Sequence, residues 1–246
     1  MSTRPPVTPR PAATILLVRD DPFEVLMVRR TEKAFFSAAL VFPGGTVEED
    51  DRHEDWRTHV TGVAGLDEEE RAFRIAAFRE TFEECGLLIA RDGEERGIAP
   101  VPGGEFAAVI RSSGGRLPLD ALVPFGHWIT PEPSPKRYDT RFYLCAAPRG
   151  QVAVCDGGET VALEWVRPVD ALARAAAGER SILFPTRLNL KRLAESSDVA
   201  SALEAARARK PFTVRPRVEK RPGGIVVVIP AEAGYGETEN FHPHSA

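Results

Sequence analysis

The chain has 246 residues, 43% hydrophobic and 28% charged, enough to bury a full core as one domain or as a domain with an extension. Its formal net charge of −4 argues against general nucleic-acid binding, which needs a basic footprint. Cys85, Cys145 and Cys155 are odd in number and form no C-x-x-C pair, so reduced thiols are expected.

Residues 1–11 form a Pro-rich arm, expected to be flexible, with no signal-peptide h-region. Ala12 to Arg19 is a buried strand, Asp20-Asp21-Pro22 a turn, and Glu24 to Arg30 a second strand, so a hairpin is expected. Phe35 and Phe36 are assigned to core packing rather than to stacking on a base. Leu40-Val41-Phe42 is a third strand running into Pro43-Gly44-Gly45, where tandem glycines let the backbone bend sharply and approach a ligand. Thr46 to Gly65 is acidic and polar, and Glu48 to Asp51 are expected to line an exposed loop. Asp67, with Glu70 three residues on, fits a variant capping box, and the acids there suit the helix dipole and solvent. The helix so started runs to about Cys85 and stops at Gly86.

Leu87 to Ala90 is expected to be a strand, residues 91–104 a Gly/Pro loop, and Glu105 to Arg111 a short helix. Strands are expected over Leu122–Thr130 and Thr140–Ala146. Another pair, Val152–Cys155 and Thr160–Val166, is joined by the turn Asp156-Gly157-Gly158. Pro168 to Ala177, Pro185 to Glu195 and Asp198 to Lys210 are helices. Gly224 to Pro230 is a late strand and 233–246 a polar tail. No apolar run approaches ~18 residues, so no membrane span is expected, and a cytoplasmic location follows by default. Interleaved strands and helices give an α+β or α/β/α layered fold.

The densest chemistry lies in Arg79-Glu80-Thr81-Phe82-Glu83-Glu84-Cys85-Gly86-Leu87. On a helix, Glu80, Glu83 and Glu84 share a face within about one turn. Like charges ~5 Å apart cost roughly 3 kcal/mol per pair at an effective dielectric near 20. A divalent cation removes that repulsion, and hard oxygen ligands suit Mg²⁺ or Mn²⁺. Ile75, Phe78, Phe82 and Cys85 form an apolar stripe facing the core, which makes Cys85 a packing residue and not a nucleophile. Trp128 and Trp165 are core residues, His127 is a satisfied structural histidine, and His242 and His244 belong to the tail.

Together, Phe42-Pro43-Gly44-Gly45 and the Arg79–Leu87 stretch resemble the Nudix box, G-x5-E-x7-R-E-U-x-E-E-x-G-U, where U is a bulky aliphatic. The second half matches at every fixed position but the first U, which is Thr81. Gly45 and Arg79 stand 34 positions apart, which leaves about twenty more residues in the loop than the standard box has. Asp51 keeps the isolated Glu's spacing from Gly45, and Glu70 lies near its spacing from Arg79; neither is assigned its part. The elongated box is similar to the branch that includes peroxisomal coenzyme A diphosphatases. So are Trp128-Ile129-Thr130-Pro131, Arg137-Tyr138-Asp139-Thr140-Arg141-Phe142 and Phe184-Pro185-Thr186. A different element of coenzyme A-cleaving relatives, L-L-T-x-R with a later Arg and Gly, is matched in part by Leu26 to Arg30, with Ala34 and Ala38 at the later positions.

The resemblance implies a Nudix domain over 12–195, with an insertion at about 46–66 and an extension over 196–246. It implies a mixed sheet between helices and Mg²⁺ or Mn²⁺ held by Glu80, Glu83, Glu84 and the Gly45 backbone. Arg79 would orient a helix carboxylate, and Glu159 is one candidate to take a proton from water. The substrate would be a nucleoside diphosphate-linked small molecule, with coenzyme A or its acyl thioesters first. ADP-ribose, NADH, dinucleoside polyphosphates or nucleoside triphosphates are alternatives, and a nucleotide-sensing module without catalysis is another. For coenzyme A, Lys136, Arg137 and Arg141 would meet the 3′-phosphate; from the residues alone, the two arginines are also ordinary strand-edge charges. Many relatives pair, so a homodimer is compatible with this reading.

Overall fold

Strict alternation along the first strand sets the layers. Ala13, Ile15 and Leu17 enter one core, while Leu16 and Val18 enter another on the opposite face, as the period of two requires. The computed structural model describes residues 7–30, 39–92, 97, 104–155 and 160–244. Within them, β1 (Arg10–Arg19) and β2 (Glu24–Arg30) make the expected hairpin, followed by β3 (Ala39–Val41) and β4 (Gly44–Thr46). Short 3-10 turns at Asp50–Arg52 and Glu54–Thr58, then β5 (Val60–Thr61), lead into α1 (Glu68–Cys85). Next come α2 (Phe106–Ser113), β6 (Leu117–Pro118), β7 (Val123–Ile129), β8 (Tyr138–Ala146), β9 (Thr160–Val166), α3 (Pro168–Ala176) and β10 (Ser181–Ile182). The chain continues through α4 (Phe184–Leu193), α5 (Val199–Ala208), β11 (Thr213–Val214), β12 (Arg217–Arg221), β13 (Gly224–Val228) and β14 (Glu239–Pro243).

The mixed sheet runs β10-β3-β2-β1-β8-β7-β11, with β4 also on β1 and β9 also on β2. Helices α1 and α2 cover the face of Ile15, Leu17, Tyr143 and Cys145. The other face, with Leu16, Met27, Phe142 and Leu144, packs on α3, α4 and α5. This is the expected α/β/α layering. Burial pushes the Cys145 thiol up to about 12, against a weaker pull from Arg91, so it is inert packing. None of the helices described is long and apolar enough to cross a membrane.

A fork in β1 positions the site. One edge of β1 pairs in parallel with β8 from Arg10 to Val18. Its other edge is shared: Val18 and Arg19 pair with β2, while Ala12 to Thr14 pair with Thr46 to Gly44. The tandem glycines thus lie on the sheet directly beneath α1. Gly44, at φ +152°, has no room for a side chain, because a Cβ would sit 2.3 Å from the Ala13 carbonyl oxygen.

Four expectations need correction. Arg10 and Pro11 do not belong to an arm but open β1, paired with Tyr138 and Asp139. Leu87 to Ala90 is not a strand: the Leu88 N–H and C=O are taken by the Gln151 side chain at 2.8 and 2.9 Å, so no ladder partner is needed. Val152 to Cys155 is not a strand either. Val154 N–H donates to the Cys85 carbonyl at 2.8 Å, while β9 pairs with β2 instead; the turn at 156–158 lies outside the described residues. The polar tail contains β14, which closes the three-stranded sheet β12-β13-β14. The extension is joined to the body: Ala202, Ala206 and Val214 enter the second core, and β11 runs parallel to β7.

Candidate active site

Helix α1 starts and stops where its end signals place it. Asp67 Oδ1 accepts the Glu70 N–H at 2.7 Å, and Gly86 adopts φ 66° with its N–H on the Phe82 carbonyl. Ile75, Phe78, Phe82 and Cys85 all face the core. The carboxylate side is only in part a solvent face: Glu83 is exposed, but its neighbours are covered. Arg79 is 8% exposed and Glu84 4%, because β4 and the loop after it lie across that side of the helix.

Two of the three glutamates sit on the glycine bend. Glu84 Oε2 accepts the Gly44 N–H at 2.9 Å across forty residues of sequence. The Glu80 carboxylate rests on Gly45, where a Cβ would meet Glu80 Oε1 at 2.4 Å. Glu83 is held from the side: Arg79 Nη1 donates to Glu83 Oε2 and to Glu80 Oε1, both at 2.9 Å. The other edge of the guanidinium is fixed too. Arg79 Nε and Nη2 donate to the two oxygens of Asp51 at 2.9 Å each, and Nη2 also donates to the Thr46 carbonyl at 2.9 Å.

Asp51 is therefore the residue that sequence reasoning missed. It is 2% exposed, not part of an exposed loop as expected for Glu48 to Asp51; only its three acidic neighbours are exposed. Its spacing from Gly45 was the available signal. Glu48 contributes its backbone N–H, which donates to Asp51 Oδ2 at 2.8 Å. Burial works against the Arg79 charge, but the hydrogen bonds and charge of Asp51, joined by Glu80 and Glu83, outweigh it and hold the proton more tightly than usual. Burial raises the Glu83 carboxyl above its ordinary range; Glu48 and Asp51 add to this and Arg79 opposes it.

The other candidates lie apart from this cluster. Arg141 pairs with Glu70, reaches Glu69 at 3.5 Å and stacks 3.9 Å over Phe73. Glu70 precedes Glu80 by about 15 Å of helix rise. Glu70 is not merely solvated, since it also accepts from Arg74 at 2.8 Å and from the Tyr143 hydroxyl at 3.0 Å. Arg137 donates to the Thr130 and Val7 carbonyls at 3.0 and 2.8 Å, and Lys136 is exposed. His127 is bonded at both nitrogens, to Asp139 at 2.5 Å and Thr213 at 2.8 Å, the satisfied histidine expected. Glu159, Phe35 and Phe36 lie outside the described residues.

Residues 62–193 match the family described as the NUDT19 Nudix domain. The chain belongs to the Nudix family. The putative nudix hydrolase 7 of Caenorhabditis elegans is 29% identical over 84% of this chain and 68% of its own length. The acyl-coenzyme A diphosphatase NUDT19 of Gallus gallus is 27% identical over 94% of this chain and 81% of its own. The crystal structure of a NUDIX hydrolase from Alicyclobacillus acidocaldarius superposes with a TM-score of 0.72 at 31% identity, covering 80% of this chain and 96% of that one.

The Nudix site can be tested for a divalent ion on its own residues. Among the described residues no three acidic, His or Cys side chains are gathered as a metal cage; Glu80 and Glu83 accept from Arg79, and Glu84 accepts from the Gly44 N–H. The donor set nevertheless fits: hard carboxylate oxygens gathered on a side-chain-free bend suit Mg²⁺ or Mn²⁺ and not a soft ion.

Proposed function

We propose that this Nudix hydrolase cleaves the diphosphate of coenzyme A or its acyl thioesters. The products are adenosine 3′,5′-bisphosphate and (acyl-)4′-phosphopantetheine, and Mg²⁺ or Mn²⁺ is the cofactor. The observation that carries the reading is the match to an acyl-coenzyme A diphosphatase over 94% of this chain, well beyond the helix and the glycine bend. The chemistry is assigned to the domain over 12–195, with 196–246 as an extension bracing it, in a reducing, cytoplasmic setting.

Glu80, Glu83 and Glu84, with the Gly45 carbonyl, would hold the ion. When bound, it supplies charge neutralisation at the diphosphate and a water acidified for attack. The chain's own residues do the rest. Gly44 and Gly45 present bare backbone, so the diphosphate can approach closely. Asp51 fixes Arg79, and Arg79 keeps Glu80 and Glu83 on the substrate side of α1. A glutamate of the helix, or Glu159 from the later loop, takes the proton from water. Lys136, Arg137 and Arg141 are the cations proposed for the 3′-phosphate, although the two arginines are bonded within the fold.

Turnover of coenzyme A in ¹⁸O-labelled water with Mg²⁺, read by mass spectrometry, tests the reading. Label in a phosphate of either named product, from the metal-loaded enzyme only, is the expected result. Hydrolysis of ADP-ribose or nucleoside triphosphates with coenzyme A untouched would overturn the substrate assignment.

A further inference from the structure

The segment that lengthens the box is anchored in three places. Its far end pairs Val60 and Thr61 with Leu117 and Pro118. Its near end is the Asp50–Arg52 turn, which carries Asp51 to Arg79. Between them stands Trp56, half-buried, with contacts on both sides of the site. Its indole Nε1–H donates to the Asp50 carbonyl at 2.8 Å. That carbonyl belongs to the peptide unit leading into Asp51 and also accepts the His53 N–H at 3.2 Å; the shorter indole bond is the side-chain contact that braces the plane from which the Asp51 side chain departs. Its ring lies 5.6 Å from Phe106, which lies 5.7 Å from Phe82. Phe82 is on α1 between Arg79 and Glu83.

We infer that Trp56 is a positioning residue for the carboxylates of the metal turn, acting through the Asp50–Asp51 peptide on Arg79. The insertion is then part of the catalytic apparatus rather than a decoration: the indole holds Asp51, Asp51 holds one edge of the guanidinium, and the other edge sets Glu80 and Glu83. Outer partners of ligating carboxylates tune metal affinity in this way. In the neighbouring cleft, which Trp56 and Asp51 also line, Arg57 and Arg71 both pair with Glu68, at 3.5 and 3.6 Å.

The inference rests on the metal reading of Glu80, Glu83 and Glu84, and one titration separates the two. Mn²⁺ binding to the metal-stripped full chain is followed by electron paramagnetic resonance for wild type, Glu83→Gln, Trp56→Phe, Asp51→Asn and the double variant Trp56→Phe/Asp51→Asn. Trp56→Phe keeps a ring against Phe106 and loses the N–H, and a circular dichroism melt confirms that each variant is folded at the titration temperature. The expected result is Mn²⁺ binding weakened about tenfold by Trp56→Phe. In the Asp51→Asn background the same change adds less than about twofold, because residues acting through one contact are not additive. Wild-type affinity in Trp56→Phe overturns the inference, as does an equal loss in both backgrounds. Wild-type protein that binds no Mn²⁺, or binds it unchanged in Glu83→Gln, overturns the metal reading and the inference with it.

Discussion

Asp51 and Arg79 meet edge to edge, two N–H···O bonds of 2.9 Å with the aspartate side chain 1% exposed and the arginine 10%. A buried ion pair is weak support for stability, because desolvation offsets much of the attraction. Its consequence here is geometric. A guanidinium is planar and rigid, so fixing its Nε edge on Asp51 also fixes where Nη1 points, and Nη1 points between Glu80 and Glu83.

Removing the charge at Asp51 leaves Arg79 buried without its main partner. Asp51→Asn is expected to cost about 3 kcal/mol of folding free energy and to weaken metal binding, since Nη1 is no longer aimed. Urea unfolding of the metal-free protein, paired with a Mg²⁺ titration, checks both. Wild-type stability together with wild-type affinity would show that the pair positions nothing.

The two glycines of the bend should fail differently. The nearest atoms a methyl at Gly45 would meet are all at the far end of the Glu80 side chain, at 2.4–2.6 Å. Gly45→Ala should therefore fold and displace Glu80, with turnover down about 100-fold. At Gly44 the obstacles include backbone, Ala13 O at 2.3 Å and Thr14 Cα at 2.7 Å, and φ is unfavourable for a side chain. Gly44→Ala should lose stability as well as activity. Thermal melts beside steady-state rates distinguish the two, and equal melting losses would contradict the assignment.

Helix α1 was legible because its cap, apolar stripe and glycine stop are all local signals at fixed offsets, and the layered fold followed from the strand and helix order. Asp51 was not legible as a buried residue. A run such as Glu48-Glu49-Asp50-Asp51 has the composition of a solvated loop, and only a partner 28 residues away makes one of its members a core group. Val152 to Cys155 has strand composition, yet its neighbour Gln151 supplies with a side chain what a ladder would supply with backbone. The β14 strand was hidden for the opposite reason: Glu239, Phe241, His242 and Pro243 are exposed at the edge of a small sheet, so no alternation is imposed on them.

Tyr235 ties the extension to the body from the sheet face opposite α1. Its hydroxyl accepts from Trp128 Nε1 at 3.1 Å and donates to Asn189 Oδ1 at 2.9 Å. Asn189 is fully buried, and among the described residues its Nδ2 already lacks a hydrogen-bond partner. Tyr235→Phe would strand its Oδ1 as well, at a cost of about 1–3 kcal/mol. Chemical denaturation measures the loss. Turnover at saturating Mg²⁺ should stay at the wild-type value, and a fall in turnover would place this contact in the site.

The pH response of metal binding follows from Glu83. Burial, then Glu48 and Asp51, raise its carboxyl in the folded, metal-free protein, with Arg79 opposing. An unfolded glutamate titrates near 4.3, so this group's contribution to stability is full below that value and is lost as pH rises through the raised folded value. Its side chain is 47% exposed, so solvent screening keeps that contribution small. The same ionisation frees an oxygen for the cation, so proton and metal compete. Mn²⁺ affinity should fall as the pH is lowered, and the fall should begin at a higher pH than an ordinary glutamate would give. Glu48→Gln removes one neighbour that raises Glu83 and should move that fall to lower pH. Mn²⁺ titrations over a pH series at constant ionic strength compare the two proteins, and superimposable curves would remove Glu48 from the electrostatics of the site.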